Sequence, residues 1–95
     1  MIGNDMKKFF QSLGVNPYLK ALSLGQNKLG DSGIQYLANA LKVNIGLTFL
    51  DLFDVDFGDD GAISLAEALL LNKTLFNLRL SNTKIKANGA TPLLK

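Results

Sequence analysis

Residues 19–44 read LKALSLGQNKLGDSGIQYLANALKVN, and residues 47–72 read LTFLDLFDVDFGDDGAISLAEALLLN. Laid over one another at an offset of 28, they share Leu19/Leu47, Leu22/Leu50, Leu24/Leu52, Gly30/Gly58, Asp31/Asp59, Gly33/Gly61, Leu37/Leu65, Ala38/Ala66, Ala40/Ala68, Leu41/Leu69 and Asn44/Asn72. A third copy opens with Leu75, Leu78 and Leu80 and keeps Gly89, Ala90 and Leu93. Moving back by 28 from the first copy puts Met6 under Ile34, Phe9 under Leu37, Leu13 under Leu41 and Asn16 under Asn44. A fixed period of this size marks a repeat array, whose units cannot bury their apolar faces alone and must stack on their neighbours. The expected organisation is a single array over 1–95: the helical half of a preceding unit at 1–18, full units at 19–46 and 47–74, and a shortened third unit at 75–95.

Within each unit the apolar period changes. Leu22 and Leu24 alternate with Ala21, Ser23 and Gly25, as a short strand with one buried face requires. Ile34, Leu37, Ala38 and Leu41 then follow at three- and four-residue steps, which lay one stripe along a helix. Between them stand Gly-Asp-Ser-Gly at 30–33 and Gly-Asp-Asp-Gly at 58–61, turn residues with an Asp or Ser expected to cap the first free N–H groups of the helix that follows. Strand, turn and helix repeated in register give an α/β array with parallel strands on one side and helices on the other. Ala38, Ala40, Ala66 and Ala68 let the helices approach closely.

The string from Leu19 to Asn44 resembles the ribonuclease-inhibitor type of leucine-rich repeat, whose strand segment reads Leu-x-x-Leu-x-Leu-x-x-Asn and whose outer side is a full helix. Repeats of this type occur in Ran GTPase-activating proteins and NOD-like receptors. The resemblance implies a right-handed, curved solenoid segment with a parallel sheet on the concave face, helices on the convex face and a protein partner bound on the sheet. Its ladder asparagine is present as Asn27 but replaced by Val55 and Thr83 in later copies, so the turn of the second unit is expected to be looser or differently bonded. Polar capping units are also missing. The chain is therefore expected to be a segment of a longer array, and its uncovered ends, Phe9 and Phe10 at one and Leu93 and Leu94 at the other, to associate end to end.

If the leucines point inward, the alternate residues face out, and these are the candidate partner-binding positions: Phe49, Asp51, Phe53, Phe76, Asn77 and Arg79. Exposed aromatics beside an arginine are the composition favoured at interface hot spots. Phe53 is expected to stand in a shallow trough between the small residues Gly25 and Ser81, where a partner could enclose it, and to carry little folding energy. Phe49 and Phe76 have the alternative of packing on each other across adjacent strands. Asp51 and Arg79 occupy equivalent positions on neighbouring strands and are expected to form a surface ion pair contributing less than about 1 kcal/mol.

Composition narrows the remaining classes. The chain has 95 residues, no His and no Cys, which removes the usual general base, the commonest metal ligand and all thiol chemistry. No enzymatic activity and no cofactor are expected. The run DVDFGDDG at 54–61 invites a calcium loop, but Gly58 and Leu65 fall at the fifth and twelfth positions, where that loop needs oxygen ligands, so no metal is expected. A net charge of +2 from scattered lysines offers no phosphate-tracking stripe, which argues against nucleic acid. No window approaches the roughly 18 apolar residues of a membrane span, and no signal-peptide pattern opens the chain. Asn72-Lys73-Thr74 matches a glycosylation sequon, but the same Asn recurs at 16 and 44 without the Thr, which points to a repeat-closing role. The expected function is a non-catalytic, cytoplasmic protein-interaction scaffold. The alternatives are a regulator of an enzyme or small GTPase, or a sensor or autoinhibitory module of a larger receptor.

Overall fold

The computed structural model describes residues 3–80, with side chains from Met6 onward. Among the described residues the order is α1 (Gly3–Val15), β1 (Ala21–Ser23), α2 (Gly30–Val43), β2 (Phe49–Asp51), α3 (Asp59–Leu71) and β3 (Asn77–Arg79). The three strands are parallel in the order β1-β2-β3, and the pairing Leu22↔Leu50↔Leu78 keeps the 28-residue offset of the sequence as spatial register. The three helices pack side by side, α1 on α2 and α2 on α3. Parallel strands sit about 4.8 Å apart, whereas packed helices need about 8 to 10 Å, so stacked units of this build bend toward the sheet. The strand-helix-strand crossovers take the right-handed sense general to such connections.

The core lies between the two layers. Leu47, Leu50 and Leu52 meet Ile34, Leu37, Leu41 and Leu65 there, all wholly buried. Burial peaks in the central unit, as stacking predicts: Leu50 is 0 % exposed, while its equivalents Leu22 and Leu78 on the flanking strands are only partly covered. Small residues set the helix spacing. A side chain on Gly33 would come within 2.7 Å of Met6 Sδ, and one on Gly46 would run into the Pro17 carbonyl.

Two expectations about polar groups change. Among the described residues the Asn27 side chain bonds within its own turn, its Nδ2 donating to the carbonyls of Leu24 (2.9 Å) and Gly25 (3.2 Å). The ladder between units is built instead on the asparagines that close the helices. Asn44, 3 % exposed, donates from Nδ2 to the carbonyls of Leu13 (2.7 Å) and Asn16 (3.0 Å) in the preceding unit. Its Oδ1 accepts the N–H groups of Gly46 (3.0 Å) and Leu47 (2.8 Å), which turn the chain toward β2. Asn72 repeats the pattern one unit on, donating to Leu41 (2.8 Å) and Asn44 (3.3 Å) and accepting from Thr74 (2.9 Å) and Leu75 (2.7 Å). Val55, at the Asn27 position, is fully buried and its N–H donates to Leu52 (3.2 Å), so the second turn is differently bonded, apolar packing having replaced the amide.

The end-face expectation also changes in part. Phe10 is 1 % exposed and stacks edge-on with Phe9 at 5.1 Å, leaving Phe9 as the partly open ring of the pair. Leu93 and Leu94, at the other proposed contact, lie outside the described residues, as does Thr83.

Leu50→Ala should cost on the order of 2 to 5 kcal/mol in urea melts, since its cavity would sit at the one layer closed on both sides. Asn44→Ala should cost about 3 kcal/mol or more, because it strands two buried N–H groups and two carbonyls at once. The exposed Asn16, whose side chain among the described residues accepts only from the N–H groups of Tyr18 and Leu19, should lose less than about 1 kcal/mol on the same change.

Candidate functional site

The strands place two cross-sheet rows on the face turned away from the helices: Ala21, Phe49 and Asn77 in one, Ser23, Asp51 and Arg79 in the next. Leu22, Leu50 and Leu78 alternate with them and point into the core, so the period-two reading of the strands places these side chains outward. Asp51 is held at both oxygens. Its Oδ1 accepts the N–H of Phe53 (2.9 Å), and its Oδ2 stands 3.6 Å from an Arg79 guanidinium nitrogen. With Asp51 15 % exposed and Arg79 53 % exposed, this is a solvated pair at the long end of contact, in keeping with a weak surface interaction. Its effect is to steer the guanidinium over the second row.

The aromatics divide. Phe76 is 84 % exposed at the entry to β3, where its N–H donates to Thr48 (3.2 Å), and Asn77 beside it is exposed. Phe49 is half-buried on β2. No ring contact joins Phe49 to Phe76 among the described residues, so Phe76 remains open to solvent. Phe53 is half-buried beside Gly25, where an added side chain would meet Phe53 Cδ1 at 3.7 Å and its carbonyl at 3.1 Å. Gln26 and Asp54, one period apart, both take up left-handed backbone angles (φ 63° and 58°), so the turns after β1 and β2 bend in the same way. Ser81, the other expected neighbour of Phe53, lies outside the described residues. Asn77, Arg79, Asp51 and Phe76 therefore form the accessible patch, with Phe49 and Phe53 as its half-buried floor and rim.

Two features escaped the sequence. A cleft of 530 Å³ opens on the helical side between α1 and α2, lined by Lys7, Gln11, Tyr36, Asn39 and Val43, and none of the sheet-face residues reach it. The second is a cap that crosses units. The N-cap positions of α2 and α3, Leu29 and Gly58, carry no side-chain cap, contrary to the reading that each turn's Asp or Ser serves its own helix. Instead Asp31 Oδ1, in the first turn of α2, accepts the N–H groups of Gly58 (2.8 Å) and Gly61 (3.0 Å) at the start of α3. The signal was present in the Asp31/Asp59 and Gly33/Gly61 identities. Spacing alone does not say which of two stacked helices an aspartate faces.

Two stretches, residues 15–38 and 43–66, match the family model described as Leucine Rich repeat, again 28 residues apart. The chain belongs to the leucine-rich repeat family. Among solved structures it is similar to "Leiomodin-1 Actin-Binding Site 2 (ABS2)", with 27% sequence identity and a TM-score of 0.80 over 88% of this chain. The match covers 49% of that structure, so this chain spans about half the length of the solved protein it resembles. No curated protein sequence matches it. Among the described residues no helix is long and apolar enough to cross a membrane.

A double-mutant cycle on Asp51→Ala and Arg79→Ala should give a coupling below about 1 kcal/mol that shrinks in roughly 1 M salt. Asp51→Ala alone should destabilise more than Arg79→Ala, since it also removes the acceptor of the Phe53 N–H.

Proposed function

We propose that this chain is a non-catalytic protein-interaction segment, that it presents the outward face of its sheet to a protein partner, and that the partner is actin. The observation that carries the reading is the patch itself: Phe76, 84 % exposed, stands beside Asn77 and Arg79 on a sheet whose fold is secured from the opposite side. An exposed aromatic next to a guanidinium, on a backbone that need not reorganise, has the make-up of a binding hot spot. Phe49, Asp51 and Phe53 complete it. The likeness to a solved leiomodin actin-binding site supports actin as that partner. We assign the repeat to the ribonuclease-inhibitor type, supported by the 28-residue period and by outer helices of 13 and 14 residues. A cytoplasmic location accords with actin as partner.

Titrating the fluorescently labelled chain with monomeric actin should give saturable binding. Phe76→Ala should weaken it about thirtyfold, roughly 2 kcal/mol, with the melting temperature unchanged because the ring has little folding contact to lose. Arg79→Glu should weaken it as well. Absence of saturable binding to monomers and of co-sedimentation with filaments would reject actin. Binding indifferent to both substitutions would reject the sheet face.

A further inference from the structure

Each helix of the stack ends on an aliphatic residue that the fold leaves uncovered. Val15, Val43 and Leu71 are the last residues of α1, α2 and α3, one 28-residue period apart, and the least exposed of the three, Leu71, is still 60 % exposed. Tyr18, Ile45 and Leu70, close to them in sequence, are exposed as well. A single exposed apolar side chain is ordinary on a protein surface, but one at the same station of three successive units makes a row, and extended apolar surface of this kind marks an interaction site. The row borders the cleft of 530 Å³ between α1 and α2, which Val15 and Val43 line together with Tyr36. Charge is sorted along the same axis. The segments that carry the row, 11–20, 39–48 and 68–76, contain no acidic residue, and the exposed Lys42 and Lys73 stand beside Val43 and Leu71 in sequence. At the other end of the helices Asp31, Asp59 and Asp60 occupy the first turns of α2 and α3.

We propose that this rim binds an amphipathic helix of a partner protein, one with an aliphatic stripe and acidic residues along the margins of that stripe. Packed helices lie about 8 to 10 Å apart, and two turns of an α-helix advance about 10.5 Å, so apolar side chains seven residues apart on the partner meet successive stations of the row. Those at the intervening third and fourth positions fall between stations, where the cleft between α1 and α2 admits one of them. Lys42 and Lys73, with no carboxylate in the segments around them, favour an acidic margin and repel a basic one. The inference is independent of the actin reading, since it concerns the rim where the helices end and not the sheet face.

Fluorescence anisotropy on the full chain tests it, with a labelled helical peptide about 18 residues long that carries leucines at i, i+3, i+4 and i+7 and glutamates on both margins of the stripe. Saturable binding is expected. The double variant Val43→Ser/Leu71→Ser should weaken it at least about tenfold, and Lys42→Glu/Lys73→Glu should do the same, with melting temperatures unchanged because these side chains are exposed. The same peptide with lysines in place of its glutamates should bind at least about tenfold more weakly. Absence of saturable binding, binding indifferent to both double variants, or equal binding of the lysine-margined peptide would overturn the inference. So would co-sedimentation of the chain with phosphatidylserine vesicles that both double variants abolish, which would assign the row to a lipid surface.

Discussion

The stack depends on the buried amide of Asn44. Asn44 sits at the point where α2 ends and the chain turns extended (φ −69°, ψ 135°), and it uses every bonding position it has: two carbonyls of the preceding unit take its N–H groups, and two N–H groups of its own loop take its oxygen. A carboxamide buried this deeply is tolerated only if fully satisfied, and full satisfaction fixes three pieces of backbone at once. The end of one helix, the end of the next and the approach to β2 cannot slide independently. Strand register follows from this, because Leu47 is bonded to Asn44 only two residues before β2 begins. Asn72 transmits the same geometry onward, and one of its acceptors is the Asn44 carbonyl itself.

At the opposite end of the helices the Asp31 cap forms a second rail. One rail alone would let neighbouring helices pivot; two, about a helix length apart, fix spacing and tilt together. The charges suit their stations, since a carboxylate against the start of α3 meets the positive end of its dipole. Both rails run along the ends of the helices, and the apolar core lies between the layers. The outer sheet face is left with almost no structural duty beyond the Asp51 contacts, which is why Phe76, Asn77 and Arg79 can stand exposed without loss to the fold.

What the sequence disclosed and what it concealed divide along the same line. The 28-residue identities carried the register directly, so Leu50 as the most buried strand residue and the facing of Asp51 to Arg79 were legible: both follow from alternation and offset alone. Phe10 was not: it was read with Phe9 as an uncovered end residue, yet it is 1 % exposed, while Phe9, which aligns with the core residue Leu37, is left partly open. The Leu37 position is closed by a neighbouring unit, and α1 has no described neighbour on that side, so Phe10 turns inward against α2 instead. Asp31 was read as a cap but assigned to the wrong helix, because a donor three residues away and one thirty residues away look identical in a linear string.

The likeness to the leiomodin site, with a TM-score of 0.80 at 27% identity, follows from this division of labour. A unit is specified by few positions: the inward leucines, the helix-closing asparagine, the glycines at close approaches and the first-turn aspartate. Each meets a steric or hydrogen-bonding demand that few other residues satisfy, so these positions hold the backbone whatever the remaining residues are. The outward strand residues meet no such demand. Their identities are free of the constraints that fold the chain, and Phe76, 84 % exposed, is a residue that folding does not require.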